Sequence, residues 1–327
     1  MPPLLHVKDL KTHYFGFRGT RIVKAVDGIS FSLEAGETFG LVGESGCGKT
    51  TTCHSIVRLL PPSAHIVSGR IELAGDDLIS KSPREMQKVR GRQIATILQD
   101  PMASLDPLFS IYNQVAEPAY YHQALRGSKL RHRVKELLAA VRIPSPEARM
   151  KEFPHQMSGG MRQRIVGAVA QAGGPKIIIA DEPTTNLDVT IQLQYLNLLK
   201  ELQRASGVAL IFVTHNLGIV AKMCDKVAVM YAGKIVEMQS VRGLFYHPRH
   251  PYTRALLDSI PKLGTKEPLY GIPGQPPDLA DLPTGCSFHP RCQHAFDRCR
   301  SQEPCEQSIG NGGTARCWLA SQEIARE

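Results

Sequence analysis

At 327 residues, 42% hydrophobic and 21% charged, the chain has the length of about two globular domains and enough apolar residues to bury a full core. No apolar run approaches the ~18 residues that cross a bilayer; the longest is "GVALIFV" at 207–213. The net charge of +9, from 39 basic and 30 acidic residues, is scattered without a block of like charges, which describes a solvated surface better than a nucleic-acid-binding tail.

The opening "MPPLLHVKDLKTHYF" has no basic start followed by an apolar stretch, so no signal peptide is expected. The expected compartment is the cytoplasm, where thiols stay reduced. In "SFSLEAGETFGLVG" two strand-like pieces flank a turn at "EAGE". "GKTTTCHSIVRLL" reads as a helix ended by Pro61 and Pro62. "RGSKLRHRVKELL" (126–138) places Val134, Leu137 and Leu138 opposite a polar face. The runs "PKIIIADEP" (175–183) and "GVALIFVTH" (207–215) have the form of buried parallel strands. Between them, "VTIQLQYLNLLKELQRASG" (189–207) is helical, with Leu196, Leu199 and Leu202 at core spacing. Strands alternating with helices predict an α/β fold around a parallel sheet. Near residue 244 the composition changes. Five of the eight cysteines and ten of the 23 prolines lie beyond it, which predicts a small, turn-rich appendage that needs a cross-link.

"GESGCGKTT" (43–51) follows the strand-like "TFGLV" and precedes a helix, the context a phosphate-binding loop requires. Gly43, Gly46 and Gly48 permit a tight wrap in which the backbone N–H groups of Gly43, Glu44, Ser45, Gly46, Cys47, Gly48, Lys49, Thr50 and Thr51 surround an anion. Lys49 reaches the β- and γ-phosphates of ATP, and the Thr50 hydroxyl is placed to ligate Mg²⁺. In "IIIADEP", Asp181 ends an apolar strand and is suited to the Mg²⁺ shell, while Glu182 is suited to orient or deprotonate water. In "MSGGMRQR" (157–164), Ser158 is a good N-cap, and Gly159 and Gly160 expose backbone N–H groups before a helix. Two anion cradles with one lysine loop are explained economically by a head-to-tail dimer. Each ATP then lies between one chain's loop and the Ser158, Gly159 and Gly160 of the other.

Together these motifs resemble the ATP-binding cassette (ABC) ATPases over essentially residues 4–240. The resemblance implies that Gln99 in "ILQDP" is the Q-loop glutamine and contributes to the Mg²⁺ shell. It implies that "TTNLD" (184–188) is the D-loop, that His215 in "VTHN" is the catalytic switch histidine, and that Tyr14 stacks on adenine. The stretches 99–118, 153–164 and 247–261 resemble the peptide/nickel importer branch, in which Met161 commonly replaces the glutamine of the general signature. Asn186 departs from the usual D-loop alanine.

The fold implied is a P-loop ABC ATPase core over 1–240, with an antiparallel β subdomain and a helical subdomain at about 100–165, and a C-terminal extension over 241–327. The implied role is ATP hydrolysis powering import of di- or oligopeptides, with nickel and oligosaccharides as alternatives in the branch. A non-transport cassette would carry a coiled-coil insertion, zinc modules or a second cassette. A dead regulatory subunit would lack an intact Lys49, Glu182 or His215. The implied partners are a second ABC ATPase subunit (a heterodimer preferred, a homodimer possible), two membrane permeases docked near residues 99–125, and an extracytoplasmic substrate-binding protein. Nucleic acid is not among them. The implied location is peripheral, on the cytoplasmic face of the membrane.

The cysteines of the extension lack the close pairs typical of zinc sites. Their wide spacing in "CSFHPRCQHAFDRC" (286–299) and beyond suits a larger unit such as a 4Fe–4S cluster, with buried unliganded thiols as the alternative. The importer branch has a similar pattern, and it implies Cys286, Cys292, Cys299 and Cys317 as ligands, with Cys305 as an extra.

Overall fold

Leu5 and Val7 are buried along the strand Leu5–Gly16, and so are Leu10 and Thr12. The alternation slips by one residue between them. Asp9, at φ 48°, lies in the register shift between Val7 and Leu10, and this bulge returns the later residues to the core face. Serine anchors the bulge, because the Asp9 N–H donates to Ser30 Oγ at 2.9 Å.

The structure is a computed structural model describing residues 2–16, 19–185, 187–261 and 271–320. Asn186 lies outside the described residues. The chain divides into two compact units. The first comprises Met1–Leu33, Phe39–Ile79 and Thr214–Glu327, and the second Glu34–Thr38 and Ser80–Val213.

In the first unit, Leu5–Gly16 lies between Arg21–Leu33 and Ala64–Leu73 in an antiparallel sheet, with the short strand Asp76–Asp77 at one edge. All three pairings are antiparallel. A second set of strands carries the phosphate loop. Thr38–Val42 runs parallel to Lys226–Tyr231, which pairs antiparallel with Lys234–Ser240. The C-terminal extension continues this order. Thr314–Ala315 pairs with Glu237 and Met238, and Gln307–Ser308 pairs with Thr314–Ala315. Phe31 stacks on Phe39 with ring centroids 4.8 Å apart. The helix after the loop spans Lys49–Val57 and stops at Arg58, which is left-handed at φ 52°. It thus ends before the proline pair, because the Arg58 N–H already caps the carbonyls of His54 and Ser55.

In the second unit, Ile94–Ile97, Ile177–Asp181 and Ala209–Thr214 are parallel neighbours. The latter two are buried throughout, as strands covered on both faces must be. The helices Ile111–His122, Gly127–Ala140 and Gly159–Ala172 pack on one another, and Val115, Ala119, Val134, Leu138 and Ile165 on them are buried. The helix Val189–Ser206 buries Leu196, Leu199 and Leu202 and ends at left-handed Gly207, as its spacing predicts.

Candidate functional site

The phosphate loop lies in the first unit. Thr38–Val42 is fully buried, so its end is a rigid platform, and the chain turns through Gly43 and Gly48 at positive φ before the helix begins at Lys49. Neither glycine is replaceable by a residue with a Cβ. At Gly43 that atom would lie 2.2 Å from the Met230 carbonyl oxygen, and at Gly48 2.1 Å from that of Ala25. Lys49 is 6% exposed. Its Nζ donates to the carbonyls of Gly43 at 2.7 Å and Glu44 at 3.0 Å, and approaches Cys47 Sγ at 3.7 Å. These partners are formally neutral, so the ammonium keeps its charge for an anion. Burial raises the Cys47 thiol, with Lys49 opposing; the thiol therefore stays protonated beside the lysine. Ser45, Gly46 and Thr50 are exposed. Tyr14 meets this motif through its hydroxyl, 3.3 Å from Thr51 Oγ1.

His215 is an exposed residue directly after the buried strand Ala209–Thr214. The next residue, Asn216, caps the helix Leu217–Met223 by accepting from Gly218 and Ile219 N–H. That cap fixes the backbone that carries the histidine.

In the second unit, Asp181 is buried at the end of Ile177–Asp181 and Glu182 follows at φ 45°. Left-handed backbone at a glutamate costs on the order of 1–3 kcal/mol and concentrates at functional positions. The turn is held by Glu182 N–H donating to the Val213 carbonyl at 3.0 Å. Its carboxylate accepts from Gln99 Nε2 at 3.4 Å and Thr185 Oγ1 at 3.0 Å. Gln99 and the candidate base are thus brought together within this unit. Buried Gln163 donates to the Pro183 carbonyl at 2.6 Å, tying the helix Gly159–Ala172 to the acidic strand end. Sequence reading missed this residue, because a glutamine on a helix gives no local sign of its distant acceptor.

Ser158 caps that helix, its Oγ accepting from Met161 N–H at 3.3 Å. Ser158 and Gly159 are exposed, and a Cβ on Gly159 would meet nothing within 4 Å. Asp188, in the stretch expected as the D-loop, is the N-cap of Val189–Ser206, accepting from Thr190 and Ile191 N–H.

All eight cysteines are free thiols. Burial pushes the Cys286 thiol up to about 12 and raises those of Cys292 and Cys317. Smaller contributions come from the other thiols. Cys286 responds to Cys317, Cys299 and Cys292, Cys292 to Cys299, and Cys317 to Cys292 and Cys299. These four therefore share one neighbourhood, whereas Cys305 is exposed. Even so, no group of three or more His, Cys, Asp or Glu among the described residues is arranged to hold a metal ion. The cysteines expected as ligands, Cys286, Cys292, Cys299 and Cys317, do not form a ready-made metal site. No helix among the described residues is long and apolar enough to cross a membrane.

A strand-borne loop wrapped around a buried lysine is the equipment of a P-loop nucleotide hydrolase. The ABC transporter family profile matches residues 26–185, and that of the oligopeptide/dipeptide transporter C-terminal region matches 236–299. A probable peptide ABC transporter ATP-binding protein of Sinorhizobium fredii is 46% identical over 98% of this chain and 96% of its own length. The dipeptide transport ATP-binding protein DppD of Bacillus subtilis is likewise 46% identical, over 98% and 96%. DppD of Escherichia coli is 43% identical over 99% and 98%. Among solved structures, the ATP-binding cassette MJ0796 in a dimeric, post-hydrolysis state with ADP and Pi superposes with a TM-score of 0.64 at 26% identity, covering 73% of this chain and 99% of that one. The protein cbiO1 from Clostridium perfringens, part of the ABC transporter complex cbiONQ, gives 0.65 at 29% identity over 76% and 92%. The chain belongs to the ABC transporter ATPases, in the branch of the dipeptide and oligopeptide transport ATP-binding proteins.

Proposed function

We propose that this chain is the ATP-hydrolysing subunit of an importer for di- or oligopeptides, acting at the cytoplasmic face of the membrane. Residues 1–240 would form the ATPase domain, with its helical subdomain at about 100–165, and residues 241–327 the transporter-specific extension. The observation that carries the reading is one chain with a buried-lysine phosphate loop and a match over 236–299 to the oligopeptide/dipeptide transporter C-terminal region. The partners would be a second ATPase subunit, preferably a different chain, two permeases and an extracytoplasmic binding protein. Nickel and oligosaccharide are the substrate alternatives. Reconstitution of the four kinds of component in vesicles tests it. Uptake of labelled dipeptide that requires internal ATP is expected, and uptake of nickel or an oligosaccharide in place of peptide would overturn the substrate.

In the proposed reaction, the N–H groups of residues 43–51 and Lys49 bind the phosphates, and Tyr14 stacks on the base. Glu182 takes the proton from the attacking water, with Gln99 orienting its carboxylate. His215 senses the γ-phosphate, and Ser158, Gly159 and Gly160 act on the nucleotide of the partner subunit. Thr50, Gln99 and Asp181 would hold Mg²⁺. When bound, the ion neutralises charge that develops on the phosphate oxygens. Exposure of Ser158 and Gly159, with open space where a side chain on Gly159 would go, supports action in trans.

The same proposal includes a 4Fe–4S cluster on Cys286, Cys292, Cys299 and Cys317. It is supported by the donor chemistry and by the shared neighbourhood of these four thiols. A single ion needs all its thiolates about 2.3 Å from one centre, whereas a cluster presents a separate iron to each. Bound there, it would supply a cross-link for the extension. Anaerobically purified protein should contain about four iron and four sulfide per chain. Cys317→Ser should lose them and Cys305→Ser should keep them. One zinc and no sulfide would reject the cluster.

A further inference from the structure

Glu44 uses three polar groups at once. Its carboxylate accepts from Arg291 Nη1 at 2.7 Å and Nη2 at 3.0 Å. Its N–H donates to the Tyr252 hydroxyl at 3.0 Å. Its carbonyl accepts from Lys49 Nζ at 3.0 Å. Two of these partners come from far along the chain, in the C-terminal extension, and the third is the phosphate-binding lysine.

The Arg291 side chain is 4% exposed and that of Glu44 28%. Arg291 is buried on purpose: its Nε donates to the Pro273 carbonyl at 2.8 Å, and its Nη1 lies 3.4 Å from Tyr231 Oη. Tyr231 in turn packs against Tyr252 with centroids 4.7 Å apart, and Phe288 packs on both. A two-pronged arginine–carboxylate pair fixes orientation as well as distance. The result is a rigid aromatic and cationic mount under the first turn of the loop.

We propose that Arg291 and Tyr252 are positioning residues for ATP binding. They hold Glu44 so that its carbonyl keeps Lys49 aimed into the cradle, and Arg291 neutralises a carboxylate that would otherwise repel the triphosphate. The inference rests on the reading of residues 43–51 as the ATP site. A loop fixed before binding loses less freedom on binding, and an uncompensated carboxylate on the loop is repulsive to an anion.

The test is the affinity of the full-length protein for a fluorescent ATP analogue, with KM and kcat for ATP in the assembled transporter. Arg291→Gln should weaken binding and raise KM about tenfold while kcat stays within about twofold. Adding Glu44→Gln to it should recover most of the loss, because the orphaned charge is then gone. Arg291→Lys, which retains the charge, should fall between Arg291→Gln and wild type. Tyr252→Phe should cost about threefold. A structural role alone would lower Tm in the single and double variants alike and leave KM unmoved. Lys49→Ala controls the underlying reading. If it binds the analogue as wild type does, the ATP site itself is misassigned. If it abolishes binding while Arg291→Gln binds normally, only the present inference falls. Should Arg291→Gln fail to fold, Glu44→Gln against Glu44→Gln/Arg291→Lys measures the same coupling, and additive effects there would overturn it.

Discussion

Two helix starts in this protein are built to opposite plans. At Lys49–Val57 the preceding loop is locked inside its own unit: the cation is buried, and Cβ atoms on Gly43 or Gly48 would strike backbone. At Gly159–Ala172 the cap Ser158 and the next residue are exposed, and Gly159 has open space where a side chain would go. The first holds its own shape without help. The second is a donor surface whose first glycine has no steric reason in its own unit, while a Cβ on Gly160 would meet Ile191 Cγ2 at 2.9 Å. Under the proposed function the first binds nucleotide and the second completes the site of a partner.

The largest effect should come from separating binding from chemistry. Glu182→Gln keeps the side chain's size and loses its basicity. ATP hydrolysis in the assembled transporter should drop about 10²–10⁴-fold while the fluorescent analogue still binds, since the phosphate loop is untouched. Turnover near wild type would move the base elsewhere. Next come the two glycines. Gly159→Val should leave Tm nearly unchanged, because open surface substitutions stay within about 0.5 kcal/mol, yet lower hydrolysis about 10²-fold by holding the partner's loop away. Gly48→Ala should instead lower stability by roughly 2–3 kcal/mol. If the two variants behaved alike in a thermal melt, the contrast between closed and open cradles would be broken.

Acid should act on the mount beneath the closed cradle. His250 is buried, and burial, with help from the charge of Arg254, lowers its pKa from 6.5 to about 3. Its Nδ1 accepts the Tyr252 N–H at 3.0 Å, which requires a neutral ring. The unfolded chain takes up this proton near pH 6.5 and the folded chain does not. Stability from the neutral ring is therefore complete above 6.5 and is lost as pH falls toward 3, by at most about 1.4 kcal/mol per unit. Tm measured from pH 7 to pH 4 should fall less steeply in His250→Gln than in wild type. Equal slopes would assign the acid sensitivity to other groups.

Motifs that act through contiguous backbone were legible in the sequence. The loop at 43–51, the acidic strand end at 181–182 and the Ser-Gly-Gly helix start each carry their geometry in a few adjacent residues. The buried strands and the helix at 189–206 were legible from apolar spacing. Residues that act across the chain were not. Arg291 sits in "FHPRC" as one more basic residue, and Tyr252 in "HPYT" as one more aromatic. Their meaning lies in Glu44, 247 and 208 residues away. Gln163 was hidden for the same reason. The helix end at Arg58 was misread because proline is an obvious stop and a left-handed arginine is not. The strands Gln307–Ser308 and Thr314–Ala315 are too short for any periodicity to register.

The first unit is assembled from chain on both sides of the second. Arg21 meets Asp278, Glu44 meets Arg291, and Arg316 Nη2 donates to the Gly28 carbonyl, pairs separated by 257, 247 and 288 residues. The ribosome delivers these partners in order, at about 5–20 residues per second. The segment 80–213 has all its own strands long before the loop at 43–51 has its mount. For a time on the order of tens of seconds the nascent chain carries a phosphate loop without Tyr252 or Arg291 beneath it. Synthesis thus sets the order in which the protein becomes competent: the loop at 43–51 is made early and receives Tyr252 and Arg291 late.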